Sequence, residues 1–518
     1  MIDSKRLAAI DIGTNSIRCL VVEAAEPGGY RLLDDEKATV RLGEGLQASG
    51  KISAAAWERA REALRRMQQI ADGLGVVAVE VVATSAVRKA CNGAEFVSAM
   101  KAENGIDIRV ISGEEEAELA VLSARHHFPM GSTSYALVDI GGGSAELVFA
   151  TGDAVQGVLS MDLGAVFLTE TFLQKDPPGK KEIKALRQQV RNTFHQHLGH
   201  RTFHPQQCLI GSGGTITTIG SMLMAQRNES YDSVNRYEVL HSDVVHLLAM
   251  LERMPVKDRR HVQGLSPERA DIIIAGMLLV DELMNFLGTN ILRINERGIR
   301  EGMILRGLEK YRLIDHAPVK DWSEAVWTLA RTCHVDIVHA EQTRLLALEI
   351  FDAVADRYGL EERDRTLLEA GAILHDIGYF INYAKHHKHS YHLIRHATLF
   401  DFSPREKELI AHIARYHRKS MPKLSHENFG WLSEEDRARV MKLGGVLRLA
   451  DGLDRRRTQE VVEMTARLDC DDLVLDLVGR HGLEAEIHGG EVKSDLFQKA
   501  FGLKVVFHQL NPALFSVG

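Results

Sequence analysis

The chain has 518 residues, is 45% hydrophobic and 26% charged, and carries a formal net charge of −8. That balance describes a water-soluble multidomain protein and argues against a global field that draws in nucleic acid or an anionic membrane. Five dispersed cysteines without a CxxC spacing, no bilayer-length apolar run, and a start that leads straight into a strand point to the cytoplasm, with no membrane partner.

In chain order, Ala9-Ile10-Asp11-Ile12-Gly13-Thr14-Asn15-Ser16 ends one apolar run, and Ile17 to Val22 forms the next. The pattern predicts strand, glycine turn, strand. Glu58 to Leu74 reads as a helix and Val76 to Ala83 as a strand. Thr84-Ser85-Ala86-Val87-Arg88-Lys89 then places two cations in a loop. A strand over Ile106 to Ile111 leads into Ser112-Gly113-Glu114-Glu115-Glu116-Ala117, where Ser112 and Glu115 match a capping box. Acids also suit a first helical turn. One of them could equally orient a water for phosphoanhydride hydrolysis.

The first phrase returns 128 residues on as Leu137-Val138-Asp139-Ile140-Gly141-Gly142-Gly143-Ser144, followed by the apolar stretch Ala145 to Ala150. A single such turn usually only reverses the chain. Two copies with Asp, Ile, Gly and Ser at equal offsets predict a phosphate chain gripped from both sides of a cleft, since glycines let backbone N–H groups approach an anion. Lys181 to His197 reads as a helix and Gln207 to Ile210 as a strand. Gly211-Ser212-Gly213-Gly214-Thr215 then opens a further helix, whose N-terminus favours an anion. Arg269, Arg297 and Arg300 are further candidate cations.

These motifs, in this order, resemble the exopolyphosphatase and guanosine pentaphosphate phosphatase family of the actin-like ATPase superfamily. The likeness spans roughly the first 310 residues, through Gly298-Ile299-Arg300-Glu301-Gly302. It implies two actin-like (ribonuclease H-like) α/β lobes and a set of roles. Glu116 would be the general base and, together with Asp139 and its counterpart Asp11, a ligand of Mg²⁺. Arg88 would neutralise the terminal phosphate. Gly13, Thr14, Asn15, Ser16, Gly141, Gly142, Gly143 and Ser144 would bind phosphate oxygens, joined by Gly213, Gly214 and Thr215. Arg269, in Ser266-Pro267-Glu268-Arg269-Ala270-Asp271, is a looser match. The implied substrate is inorganic polyphosphate or guanosine pentaphosphate, and a homodimer is expected from the resemblance alone. An actin-like kinase or ATPase and a non-catalytic sensor of alarmone or polyphosphate are the competing readings.

Asp315-His316-Ala317-Pro318 reads as a linker, and 12 of the 24 histidines lie between His316 and His426. From Trp322 to about Arg457 the apolar spacing is helical. The order His339, His375-Asp376, Asp451 resembles the HD metal-dependent phosphohydrolase superfamily, with Mn²⁺, Fe²⁺, Mg²⁺ or Zn²⁺ as candidate ions. His389 and His417 are the next candidate ligands. Lys385, Lys388, Arg415, Arg418, Lys419 and Lys423 form a possible basic face for a polyanion, and Arg455-Arg456-Arg457 a solvated or interdomain run. Strands at Val461 to Met464, Leu473 to Val478 and Leu503 to Phe507 around one helix complete the chain. The expected organisation is therefore lobe I at 1–132, lobe II at 133–314, an all-α HD-type domain at 315–458 and a small α+β cap at 459–518.

Overall fold

The computed structural model describes residues 5–25, 29–128, 130–199, 208–314, 321–399 and 401–510. The expected linker at 315–318 lies outside them. The chain divides into two compact units, Met1–Glu229 with Ser233–Lys320, and Asp321–Gly518 with Ser230–Asp232.

The first unit contains two sheets of related topology. Strands β1 (Arg6–Ile12), β2 (Ser16–Ala25), β3 (Gly29–Thr39), β4 (Ala78–Ala83) and β5 (Arg109–Val110) lie in the order β3-β2-β1-β4-β5. Strands β6 (Ser134–Ile140), β7 (Ala145–Thr151), β8 (Ala154–Met161), β9 (Cys208–Ser212), β10 (Glu238–Leu240) and β11 (Ile291–Ile294) follow the order β10-β11-β9-β6-β7-β8. In each sheet an antiparallel three-strand meander is followed by a parallel neighbour of its first strand. This is the duplicated α/β architecture of an actin-like unit. The strand expected over Ile106 to Ile111 shrinks to β5, because Ile106 and Ile108 turn into the core of the first sheet instead of pairing along its edge.

Helix α1 (Ala54–Gly73), capped by Ser53, covers the first sheet through Ala56, Ala60, Ala63, Leu64 and Met67. Helix α2 (Gly113–His127) lies between the sheets. Its Ala117, Ala120, Val121 and Ala124 pack on Leu137 and Val148 of the second sheet. Its Leu119 joins Met303, Ile304 and Leu308 against Leu7 and Leu20 of the first. Helix α3 (Gly214–Gln226) opens directly from β9, and α4 (Gly298–Lys310) follows β11 in sequence yet contacts β1 and β2 of the first lobe.

In the second unit, helices α5 (Ile337–Tyr358), α6 (Glu362–Leu374), α7 (His386–His396), α8 (Pro404–Arg415) and α9 (Glu434–Leu453) form a bundle. It shares one hydrophobic core with the sheet β12 (Val461–Asp469), β13 (Asp472–Gly479) and β14 (Lys504–Leu510): Ile373, Leu443 and Leu447 pack with Leu473, Leu475 and Leu477. Two helices, α10 (Glu484–Lys493) and α11 (Asp495–Phe501), accompany the sheet where one was expected. Among the described residues no helix is long and apolar enough to cross a membrane.

Candidate functional site

Two glycine turns face each other across a cleft in the first unit. Each turn is closed by the same bond: Gly13 N–H donates to Ser16 O (3.1 Å) and Gly141 N–H to Ser144 O (3.0 Å). The approach is close enough to require glycine. A Cβ on Gly143 would stand 2.6 Å from Ser85 Oγ and 2.9 Å from Thr14 Oγ1. Asp11, Gly13, Thr14, Asn15, Ser16, Asp139, Gly141, Gly142, Gly143 and Ser144 all line the cleft, as do Gly213, Gly214 and Arg269. Gly213 holds φ +92°, where a Cβ would meet Ile140 O at 2.4 Å, and this conformation aims the N-terminus of α3 into the cleft. Thr215 is buried against Gly276 instead, and Thr217, one turn-step further round α3, reaches the wall.

Glu116 stands on the wall at the first turn of α2, whose cap is Ser112 accepting from Glu115 N–H (3.2 Å). The expected reciprocal half of a capping box is absent, because the Glu115 carboxylate pairs with Arg109 and Arg306. Arg88 Nη1 donates to Glu116 Oε1 (2.5 Å) and to Ile111 O (2.6 Å), so it anchors the glutamate and does not itself line the cleft.

The register of the hairpins brings in two residues that motif reading missed. Asp11 lies opposite Arg18, and Asp139 opposite Glu146. Glu146 accepts from Ser160 Oγ (2.9 Å). Arg18, Arg269, Arg297 and Arg300 supply cations to the same cleft, with Arg300 Nη1 on Asp35 Oδ1 at 2.5 Å.

Burial pushes Asp11 and Asp139 each up to about 6; Arg300 and Arg18 partly offset this at Asp11, and Ser212 at Asp139. Glu116 is pushed up to about 7 by burial against the pull of Arg88. Glu146 is raised well above the carboxylate range by burial and by the charges of Glu116 and Asp139. Arg269 falls to about 10 through burial and repulsion from Arg18. Four buried carboxylates within each other's field call for a cation. Asp11 Oδ1 and Ser85 Oγ are buried without a hydrogen-bond partner among the described residues. The donor set, oxygen only, suits Mg²⁺.

A sequence profile of the Ppx/GppA phosphatase family matches residues 21–311, and a profile of domain III of that family matches residues 323–484. The chain belongs to the Ppx/GppA phosphatase family. An exopolyphosphatase from Cytophaga hutchinsonii is similar at 26% identity and a TM-score of 0.57, over 60% of this chain and 100% of that one. A family member from Aquifex aeolicus is similar at 26% identity and a TM-score of 0.52, over 60% and 99%. The actin-like reading of the first unit and its phosphatase class thus stand together.

The second unit gathers the other predicted residues. His339, His375 and Asp376 offer ligand atoms within 4.8 Å of one another, all buried. Asp451 Oδ1 lies 3.4 Å from His339 Nε2 and 3.8 Å from His375 Nε2. His339 Nδ1 donates to Asp454 (2.7 Å) and His375 Nδ1 to Ala372 O (2.7 Å), which fixes both tautomers with Nε2 inward. Both Nε2 atoms are buried without a partner that meets hydrogen-bond geometry among the described residues, so the set fits a divalent ion. Burial holds His375 and His417 below the histidine range. His417 joins this cluster as expected, but His389 does not; His386, three residues earlier, takes its place. Of the expected basic face, Arg415 is buried against Tyr391 and Tyr416, whereas Lys385, Lys388, Lys419 and Lys423 are exposed.

Proposed function

We propose that the first unit is an exopolyphosphatase that releases the terminal orthophosphate of linear inorganic polyphosphate. The observation that carries the reading is Glu116, buried on the cleft wall beside Arg88 and poised near neutrality, facing two glycine turns and a helix N-terminus. The water oxygen bonds to the terminal phosphorus and its proton passes to the Glu116 carboxylate. The bridging P–O bond then breaks, so the chain leaves one phosphate shorter with the charge on its new terminal oxygen. Backbone amides of the two turns and of Gly213–Gly214 hold the phosphate oxygens. Arg88 keeps Glu116 oriented, which is a positioning role in place of the direct phosphate contact expected from sequence. Mg²⁺ held by Asp11 and Asp139 beside Glu116 would neutralise charge at the scissile phosphate.

Arg18, Arg269, Arg297 and Arg300 extend the positive lining beyond the turns. Arginine forks and amides suit successive phosphates better than a nucleobase, which favours the polymer over guanosine pentaphosphate. Phosphate release measured side by side from long-chain polyphosphate and from guanosine pentaphosphate, both with Mg²⁺, is expected to favour the polymer. Preference for the nucleotide would make the chain an alarmone 5′-phosphohydrolase. The second unit, on this reading, is an HD-type domain holding a divalent ion at His339, His375, Asp376 and Asp451, supported by the two buried Nε2 atoms that converge with the carboxylates of Asp376 and Asp451.

A further inference from the structure

Arg41 joins the two lobes from a strained backbone. It follows β3 by two residues and holds φ +50°, the left-handed region that side chains other than glycine rarely adopt. Its main chain is fixed there by the first glycine turn. Val40 N–H and Arg41 N–H both donate to Asn15 O (3.2 and 2.9 Å), and Gly43 N–H donates to Thr14 O (2.9 Å). The approach leaves no room for a side chain at Gly43, where a Cβ would stand 2.2 Å from Thr14 Cγ2.

From this anchored backbone the guanidinium reaches lobe II. Arg41 Nη2 donates to Glu268 O (3.1 Å) and Nη1 to Asp271 Oδ2 (2.8 Å). The fork therefore straddles the short turn Pro267–Arg269, one branch before Arg269 and one after it. Asp271 Oδ1 is buried without a hydrogen-bond partner among the described residues, so the Arg41 bond is the one that orients this carboxylate. Lys37 Nζ and Thr39 Oγ1, at the end of β3, add bonds to Glu268 Oε2 (3.1 and 2.8 Å).

Arg269 itself lies in an unfavourable place. Its guanidinium rests on the first residue of α3: a Cβ on Gly214 would fall 1.9 Å from Arg269 Cζ. A cation at the positive end of a helix, with Arg18 repelling it, is at home only when an anion lies between them. The acids on either side of it in sequence are turned away, Glu268 to Lys37 and Asp271 to Arg41. Among the described residues Arg269 has no ion pair of its own, so its place in the cleft is set by the turn that carries it, and that turn is tied to lobe I.

We propose that Arg41 is a positioning residue that clasps the lobes together, holding the Pro267–Arg269 turn to the first glycine turn and so seating Arg269 for a phosphate of the substrate. The proposal rests on the reading of the cleft as a phosphate site and goes beyond it in naming the residue that joins its two halves.

The test titrates tripolyphosphate with Mg²⁺ into the full-length chain in a Glu116→Gln background, followed by calorimetry. Arg41→Met and Asp271→Asn are each expected to weaken binding about tenfold. Arg41→Lys, which keeps the charge and loses the fork, should recover only part of the loss. Arg269→Met should weaken binding too, and adding Arg41→Met to it should cost less than about twofold more, since Arg41 acts through Arg269. The Arg41–Asp271 pair is partly exposed and contributes little to stability, so melting temperatures should stay within about 2 °C of the parent. Undiminished binding in Arg41→Met or in Arg269→Met overturns the proposal. So does a full tenfold loss from Arg41→Met with Arg269 already removed, which would put Arg41 on the anion directly. If Arg41→Met melts cold by circular dichroism, Arg41→Lys and Asp271→Asn are read in its place. Phosphate release from tripolyphosphate by the chain with Glu116 intact is measured alongside. Its absence, with the binding pattern as expected, counts against the hydrolase reading and leaves the clasp standing.

Discussion

Glu116 and Asp139 do different work, and their substitutions separate. Glu116 is the proton acceptor of the proposed reaction, so Glu116→Gln is expected to lower turnover by about 10²–10⁴-fold while substrate affinity holds. Equal loss in affinity, or intact turnover read by phosphate release, would sink the base assignment. Asp139 exposes the cost of the cleft. Its carboxyl rises from 3.8 to about 6 through burial, so the folded chain holds that proton more tightly than the unfolded chain does. The sign follows: folding is favoured at low pH and loses stability as pH climbs from about 4 through 6, by about 3 kcal/mol for this group. Asp139→Asn is therefore expected to abolish activity and to raise the melting temperature of the metal-free chain at pH 7.5, by a shift on the order of 5 °C. The gain should shrink at pH 5, and calorimetry at the two pH values checks it. Mg²⁺ should raise the wild-type melting temperature more at pH 7.5 than at pH 5, for the same reason.

Among the elements, the two hairpins are register copies whose opposed positions carry different charges, Arg18 in one lobe and Glu146 in the other. The fold is thus duplicated while the charges are split: one hairpin adds a cation to the cleft, the other an acid beside Asp139. The glycine turns were legible because Asp and Gly at the end of an apolar run leave a local signature. Arg18 and Glu146 were not, since each reads as a polar residue within a strand. The clue lay in pairing: after a tight turn, the residue seven beyond the Asp sits across from it. Helix phase hid others. Thr217 replaces Thr215, and His386 replaces His389, because the first residue of a helix fixes which side chains point inward and composition alone does not. The pair α2 and α4 depends on a close crossing that also escaped the sequence. A Cβ on Gly302 would lie 2.1 Å from Leu119 O. Its neighbour Glu301, fully buried, is held at about 2, against the opposing effect of burial, by His127, His126 and Tyr30. Gly302→Ala is expected to cost roughly 1–3 kcal/mol and, by moving Arg300 on the same helix, to raise KM for polyphosphate. A chemical-denaturation midpoint equal to that of the wild type would show that the helices do not meet at backbone contact.

At the scale of the whole molecule, the cores divide the chain differently from the sequence pattern. Among the described residues, the cores on both sheets of the first unit draw on residues 7–314. The matched relatives from Cytophaga hutchinsonii and Aquifex aeolicus are covered over 100% and 99% of their length by 60% of this chain. The second unit is the opposite case. The sequence pattern suggested a helical domain and a small α+β cap at 459–518, and Leu473, Leu475, Leu477, Leu496 and Phe497 are fully buried in the same core as the bundle. Removing them would strip the bundle of the surface it packs against, at several kcal/mol for each large side chain lost. Residues 1–320 expressed alone are expected to unfold cooperatively and to release phosphate from tripolyphosphate. Residues 321–458 alone are expected to show no cooperative transition, whereas 321–518 should. Thermal unfolding followed by circular dichroism on the three fragments decides both points. A cooperative 321–458 would restore the cap as a domain of its own, and an inactive but folded 1–320 would mean that the cleft needs the second unit for its chemistry.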